Sequence, residues 1–165
     1  MPAAAVELGN VPPMEFIPVA EETGIVSAVG RWVVETGCRR LVSWRRSGTG
    51  ALVMGINLSR RELAEPGLAE HVARTASEAG VDASSIALEI PESVVSGASG
   101  IAADNLTNLV RHGFPIHLDD FGTGQSSVAR LRQLPVAGVK IDRMLVAELG
   151  DTEKSRELVE AIVAM

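Results

Sequence analysis

The sequence predicts an α/β domain with parallel strands, and two observations carry that prediction. Short apolar runs at 51–56, 86–90, 115–119 and 139–142 alternate with longer stretches whose apolar residues recur at helical spacing, the signature of βαβ units joined by right-handed crossovers. Each run also closes on a polar side chain able to carry chemistry: Asn57, Glu89, Asp119 with Asp120, and Lys140 with Asp142. In a parallel sheet or barrel all these ends lie at one face, where ligands collect.

The elements follow in order. Residues 1–13 hold Pro2, Gly9, Pro12 and Pro13 without a sustained period and read as an irregular entry segment, so the domain is expected over 14–165. From Thr23 to about Arg46, Ile25, Val26, Val29, Trp32, Val33, Leu41 and Val42 keep mostly helical spacing, and Gly37 interrupts that helix without having to end it. The run 51–56 reads as a buried strand. Ser59 with Glu62 matches a capping box. Leu68, Val72 and Ala76 predict a helix that stops at Gly80, then a strand over 86–90, then a helix carrying Ile101, Leu106, Leu109 and Val110 and ended by Gly113. A third strand covers 115–119, a short helix 126–134 and a fourth strand 139–142. Asp151 or Thr152 is read as the cap of a last helix with Leu158, Val159, Ile162 and Val163 on one face.

Composition narrows the class. The 165 residues suffice for one ordinary domain and fall short of the roughly 250 of a typical complete eight-stranded α/β barrel. A net charge of −6 argues against a broad basic surface for a DNA duplex, so a small anionic ligand would need local Arg, Lys or a metal. A single cysteine, Cys38, excludes an internal disulfide and fits a reducing, cytoplasmic setting. No apolar stretch is long enough to span a membrane. Asp120-Phe121-Gly122 imitates the kinase metal tripeptide, but no glycine-rich loop or His-Arg-Asp stretch precedes it. A P-loop and a serine-hydrolase elbow are absent as well.

The strand-end residues form an oxygen-donor set: an amide from Asn57 and carboxylates from Glu89, Asp119, Asp120 and Asp142. Such donors suit Mg2+ or Mn2+, and Lys140 can orient a water or stabilise anionic charge. The loop from Gly122 to Ser127 leads from the paired aspartates into the next helix, an arrangement that receives phosphate oxygens. Each polar residue alone is ordinary at a strand end; four successive strands delivering such groups to one rim are not. His117 shares its side of the strand with Asp119 and reads as a hydrogen-bonded interior histidine, while His71 and His112 fall on predicted helices as surface residues.

Five stretches together resemble the EAL-domain family of cyclic di-GMP phosphodiesterases: 16–24 (FIPVAEETG), 56–59 (INLS), 88–93 (LEIPES), 118–124 (LDDFGTG) and 134–143 (LPVAGVKIDR). They run in family order over nearly the whole chain from Pro12 onward. The resemblance implies a TIM-like (β/α) barrel in which Asn57, Glu89, Asp119 and Asp120 hold one or two Mg2+ or Mn2+ ions, with Asp142 a further rim residue. It implies that Lys140 acts on the hydrolytic water, that Glu92 holds the loop after Asp120, and that cyclic di-GMP is opened to the linear dinucleotide. An upstream diguanylate cyclase (GGDEF) or sensor domain is a partner it allows in a longer parent protein.

The departures from the family pattern are specific. The name-giving Glu-Ala-Leu is not found before Pro12; Glu7-Leu8 lies too close and lacks the flanking residues. The later strands, with a further glutamate and a glutamine of the site, do not precede Met165. Gln125 stands where an aromatic is common and Pro91 where threonine is usual. The expected fold is thus the central part of the barrel, with two open strand edges that invite a homodimer. Three readings follow: a phosphodiesterase whose parent is active while this chain alone turns over little, a module that binds the dinucleotide without cutting it, and an interaction domain.

Overall fold

In the computed structural model, which describes residues 9–48, 50–121, 136–148, 156, 157, 159 and 160, four strands form one parallel sheet. β1 (Met54–Asn57), β2 (Ile86–Pro91), β3 (Ile116–Phe121) and β4 (Gly138–Ile141) lie side by side in chain order. A barrel grows by such unreversed addition, whereas a doubly wound sheet reverses at a switch point. Helices α1 (Pro13–Thr23) and α2 (Val26–Arg46) precede β1. α3 (Arg60–Leu63) and α4 (Leu68–Glu78) link β1 to β2, α5 (Glu92–Ser96) and α6 (Ile101–Arg111) link β2 to β3, and α7 (Arg143–Ala147) follows β4.

Strand alternation sorts the residues into two faces. Ile86, Leu88, Ile90, Ile116 and Leu118 are buried in one apolar cluster with Val34 and Leu41 of α2, Leu68 and Val72 of α4, and Leu106 and Leu109 of α6. The intervening Glu89, Pro91, His117 and Asp119 lie on the other face and are only partly buried. The core is therefore aliphatic and lies between sheet and helices, while the polar rim is left to the opposite side.

Several boundaries follow from local chemistry. Gly80 (φ +69) and Gly113 (φ +89) end α4 and α6 in Schellman turns, with Val81 N–H bonded to Ala76 O at 2.9 Å and Phe114 N–H to Leu109 O at 3.1 Å. Gly37 stays inside α2, where a Cβ would come within 3.3 Å of Ile56 on β1. The stretch from Pro13 to Thr23 forms a helix that the sequence pattern does not announce. Pro13 is accepted at its start, Gly24 closes it in the left-handed region, and most of its apolar residues remain exposed, so no buried stripe marks it. The expected helix over 126–134 lies outside the described residues, and of the last helix only 156, 157, 159 and 160 are described, all helical. The short α5 and α7 carry too few residues for a period to show.

The capping box is formed as expected. Ser59 accepts from Glu62 N–H at the start of α3, and Glu62 Oε2 accepts from Ser59 N–H at 2.9 Å. The Glu62 carboxylate is buried over Gly30 of α2, where any Cβ would overlap it, so Gly30 is required for this seat. Buried Asn105 of α6 holds the next connection by donating to Leu63 O at 2.8 Å and Glu65 O at 2.7 Å. These contacts fix the path of the chain immediately after Asn57.

Burial raises the Glu62 carboxyl above the usual range, against the hydrogen bonds from Ser59. The folded chain therefore holds this proton more tightly than the unfolded one. That contribution is complete below the unfolded value and is lost as pH rises through the folded one. Glu62→Gln preserves the capping geometry and removes the titration. Between about pH 4 and 7, the unfolding free energy of the variant, measured by urea titration, should rise relative to the parent; a difference independent of pH contradicts the assignment.

Candidate functional site

The strand register builds the site. Asn57 pairs with Glu89, and Glu89 with His117, so these residues share one level of the sheet. One step further, Leu118 pairs with Val139 and Phe121 with Ile141, which leaves Asp119 and Asp120 opposite Lys140 alone. This is a two-against-one bulge, a device that turns a strand and redirects its side chains. Asp120 adopts φ +54 there, the one non-glycine residue with positive φ among those described, and aspartate tolerates this better than most residues.

Lys140 joins the acids across three strands. Its Nζ donates to Glu89 Oε2 at 2.7 Å and lies 3.6 Å from Asp119 Oδ1. The Glu89 hydrogen bond, followed by the Glu89 and Asp119 charges, raises Lys140 above the usual lysine range although desolvation opposes this. The side chain is therefore an ammonium, a donor and a positive charge rather than a base. On the other flank, Glu89 Oε1 lies over Gly55, where any Cβ would overlap the carboxylate. Gly55 stands two residues before Asn57 on the same face of β1, and a glycine inside a strand is the sequence signal of such a close approach.

The other expected residues take varied places. Asn57 and Asp120 line, with Asp119, a cleft of about 630 Å3 whose far wall comes from Phe16, Ile17 and Val29 of α1 and α2. Glu92 is buried at the first position of α5, but the loop it was expected to hold lies outside the described residues. Asp142 caps α7 by accepting from Met144 N–H at 2.7 Å, so this oxygen is engaged by the backbone of α7. His117 is half-buried on the same face as Asp119, its ring packed against Gly138, and among the described residues the expected hydrogen bond is not found. His112 is exposed as expected, whereas His71 is half-buried. The α1 wall and the two glycines under Glu89 and His117 are parts of the site that sequence reading did not assign.

The donors present fit a hard divalent cation. Among the described residues no three acidic, histidine or cysteine side chains converge into a cage. Mg2+ commonly uses one or two carboxylates and completes its shell with water and phosphate oxygens, which matches a site of Glu89 and Asp119 beside an amide and an open cleft.

Gly55→Ala tests the approach of Glu89 to Gly55. The added methyl should push the Glu89 carboxylate away, so that the Lys140 pKa, followed by 13C NMR, falls toward the ordinary value of about 10.4 while the fold is kept. An unchanged Lys140 titration would show that Gly55 does not set the contact.

Comparison with known proteins bears on the family and the fold. The family model "EAL domain" matches residues 4–165. Cyclic di-GMP phosphodiesterase PdeR of Escherichia coli K12 is 33% identical over 159 residues, which is 96% of this chain and 24% of PdeR. The bifunctional diguanylate cyclase/cyclic di-GMP phosphodiesterase MucR of Pseudomonas aeruginosa is 34% identical over 157 residues, 95% of this chain and 23% of MucR. A solved PaMucR phosphodiesterase in complex with c-di-GMP superposes with a TM-score of 0.84 at 34% identity, covering 93% of this chain and 62% of that one. The chain thus spans about a quarter of these curated relatives and under two thirds of the matched structure, whose EAL fold is a TIM-like barrel. By its sequence and by its four-stranded parallel sheet, the chain belongs to the EAL domain family.

Proposed function

We propose that this chain provides the central strand ends of a metal-dependent phosphodiesterase that opens cyclic di-GMP to the linear dinucleotide. The observation that carries the reading is the meeting of Glu89, Asp119 and Lys140 at the β3 bulge, where Asp119 also lines the cleft. Asn57, Glu89, Asp119 and Asp120 would hold one or two Mg2+ or Mn2+ ions, with Asp142 near the same rim. Ions bound there supply positive charge to phosphate oxygens and lower the pKa of a bound water. Lys140 would offer N–H groups to an attacking water or to a phosphate oxygen, and Glu92 would hold the loop that follows Asp120.

The same reading sets the context of the chain. Among the described residues no helix is long and apolar enough to cross a membrane, which suits work on a cytoplasmic nucleotide beside a cyclase or sensor domain of a longer protein. β1 and β4 are the outer strands of the described sheet. Their outer edges would pair with further strands of such a protein, or with a second copy when the chain is alone. Static light scattering at micromolar concentration should then report a dimer, and a monodisperse monomer would remove the homodimer from the proposal.

Turnover and binding decide the main reading. In Mn2+, labelled cyclic di-GMP should bind the chain, linear product should form slowly by chromatography, and Asp119→Asn should weaken Mn2+ binding by about tenfold or more through loss of a charged ligand. Binding without product would assign the chain to the non-cutting class. Neither binding nor product would overturn the proposal and leave an interaction domain.

A further inference from the structure

We propose that the Lys140 ammonium is the resident counter-cation of the Glu89–Asp119 pair and competes directly with the divalent ion, leaving Glu89 when one binds. This rests on reading the rim as a metal site, and it concerns a different property of it: how the site is held in the absence of metal and what sets its affinity.

The two oxygens of Glu89 are already divided between neighbours. Oε2 receives the Lys140 hydrogen bond at 2.7 Å, while Oε1 lies over Gly55 on the side of Asn57. The Lys140 side chain is 47% exposed, against 14% for Glu89 and 26% for Asp119. The acids are thus the partly desolvated partners and the lysine is the accessible one. Two desolvated carboxylates on adjacent strands repel each other unless a positive charge lies between them. Lys140 supplies that charge from β4, at the one position that the bulge sets opposite both aspartates.

A divalent ion takes carboxylate oxygens at shorter range and with twice the charge, and an ammonium on the same oxygen opposes it. Lys140 can yield because its charge sits on a flexible four-carbon stem with solvent at hand. The ammonium therefore does two things: it relieves repulsion between the acids when no metal is present, and it lowers the affinity for metal to a level at which loading responds to metal concentration. Metal entry then releases the ammonium into solvent.

Calorimetric titration of the whole chain with Mn2+ tests this, using the parent, Lys140→Met, Lys140→Arg and Asp119→Asn. Removing a partly exposed positive charge beside the ion should tighten Mn2+ binding roughly three- to tenfold in Lys140→Met. Lys140→Arg keeps the charge and should bind as the parent does. In EDTA, Lys140→Met should melt below the parent, since the acids lose their counter-charge.

A second measurement needs no variant. Lys140 and Lys154 are the two lysines of the chain, so selective 13Cε labelling gives two signals. Addition of diamagnetic Mg2+ should move the Lys140 signal, with Lys154 unmoved. Mn2+ binding that is lost in Asp119→Asn but equal or weaker in Lys140→Met, or a Lys140 signal unmoved at saturating Mg2+, overturns the competition while leaving the metal site standing. No Mn2+ binding by the parent or any variant overturns both.

Discussion

Leu118 pairs with Val139 and Phe121 with Ile141, so two residues of β3 span the interval that Lys140 alone spans in β4. In a regular parallel ladder, consecutive side chains leave opposite faces of the sheet, and one of the two aspartates would be turned into the apolar cluster beneath the helices. The bulge relaxes that alternation at one point. It ends the buried run Ile116–Leu118, presents Asp119 and Asp120 at the cleft, and lets Phe121 return to the core, where it is 1% exposed. The positive φ of Asp120 is the local cost of this arrangement, and aspartate bears it more cheaply than a bulkier residue.

The charges at the rim stand together because the sheet puts them at successive levels and the core holds the sheet. Glu89 follows Leu88 and precedes Ile90, both fully buried, so its strand cannot slide without exposing the core. Gly55 and Gly138 withhold side chains where Glu89 and His117 lie across their neighbours. Lys140 then meets two carboxylates with Asn57 on the far flank. Positive charge is drawn to this point by the backbone's placement of acids.

A second set of contacts stabilises the path from β1 into the first crossover. Leu58 N–H reaches Glu89 O at 2.9 Å, Ser59 and Glu62 close the capping box, and Gly30 gives the Glu62 carboxylate its space beside α2. Arg61 adds a hydrogen bond to Glu21 O near the end of α1, tying the apolar wall of the cleft to the same turn. The residues before β1 thereby belong to the site's architecture, although they lie far from the acids in sequence.

Local pattern in the chain is enough to read the alternation of strands and helices, the parallel class, the glycine stops at Gly80 and Gly113, the capping box and the identity of the residues at the strand ends. Each of these depends on local periodicity or on hydrogen bonds between residues a few positions apart, and local pattern is what a chain displays directly. Family motifs extended that reading to the barrel. Tertiary structure alone decided that α1 is a helix with little buried face, that Asp142 turns to cap α7, that Glu62 lies over Gly30, and that Lys140 joins Glu89 and Asp119. These depend on packing and on cross-strand register between segments up to 51 positions apart. For the last of these a one-residue bulge is decisive, and no spacing in a single strand reveals where its neighbour will skip a residue.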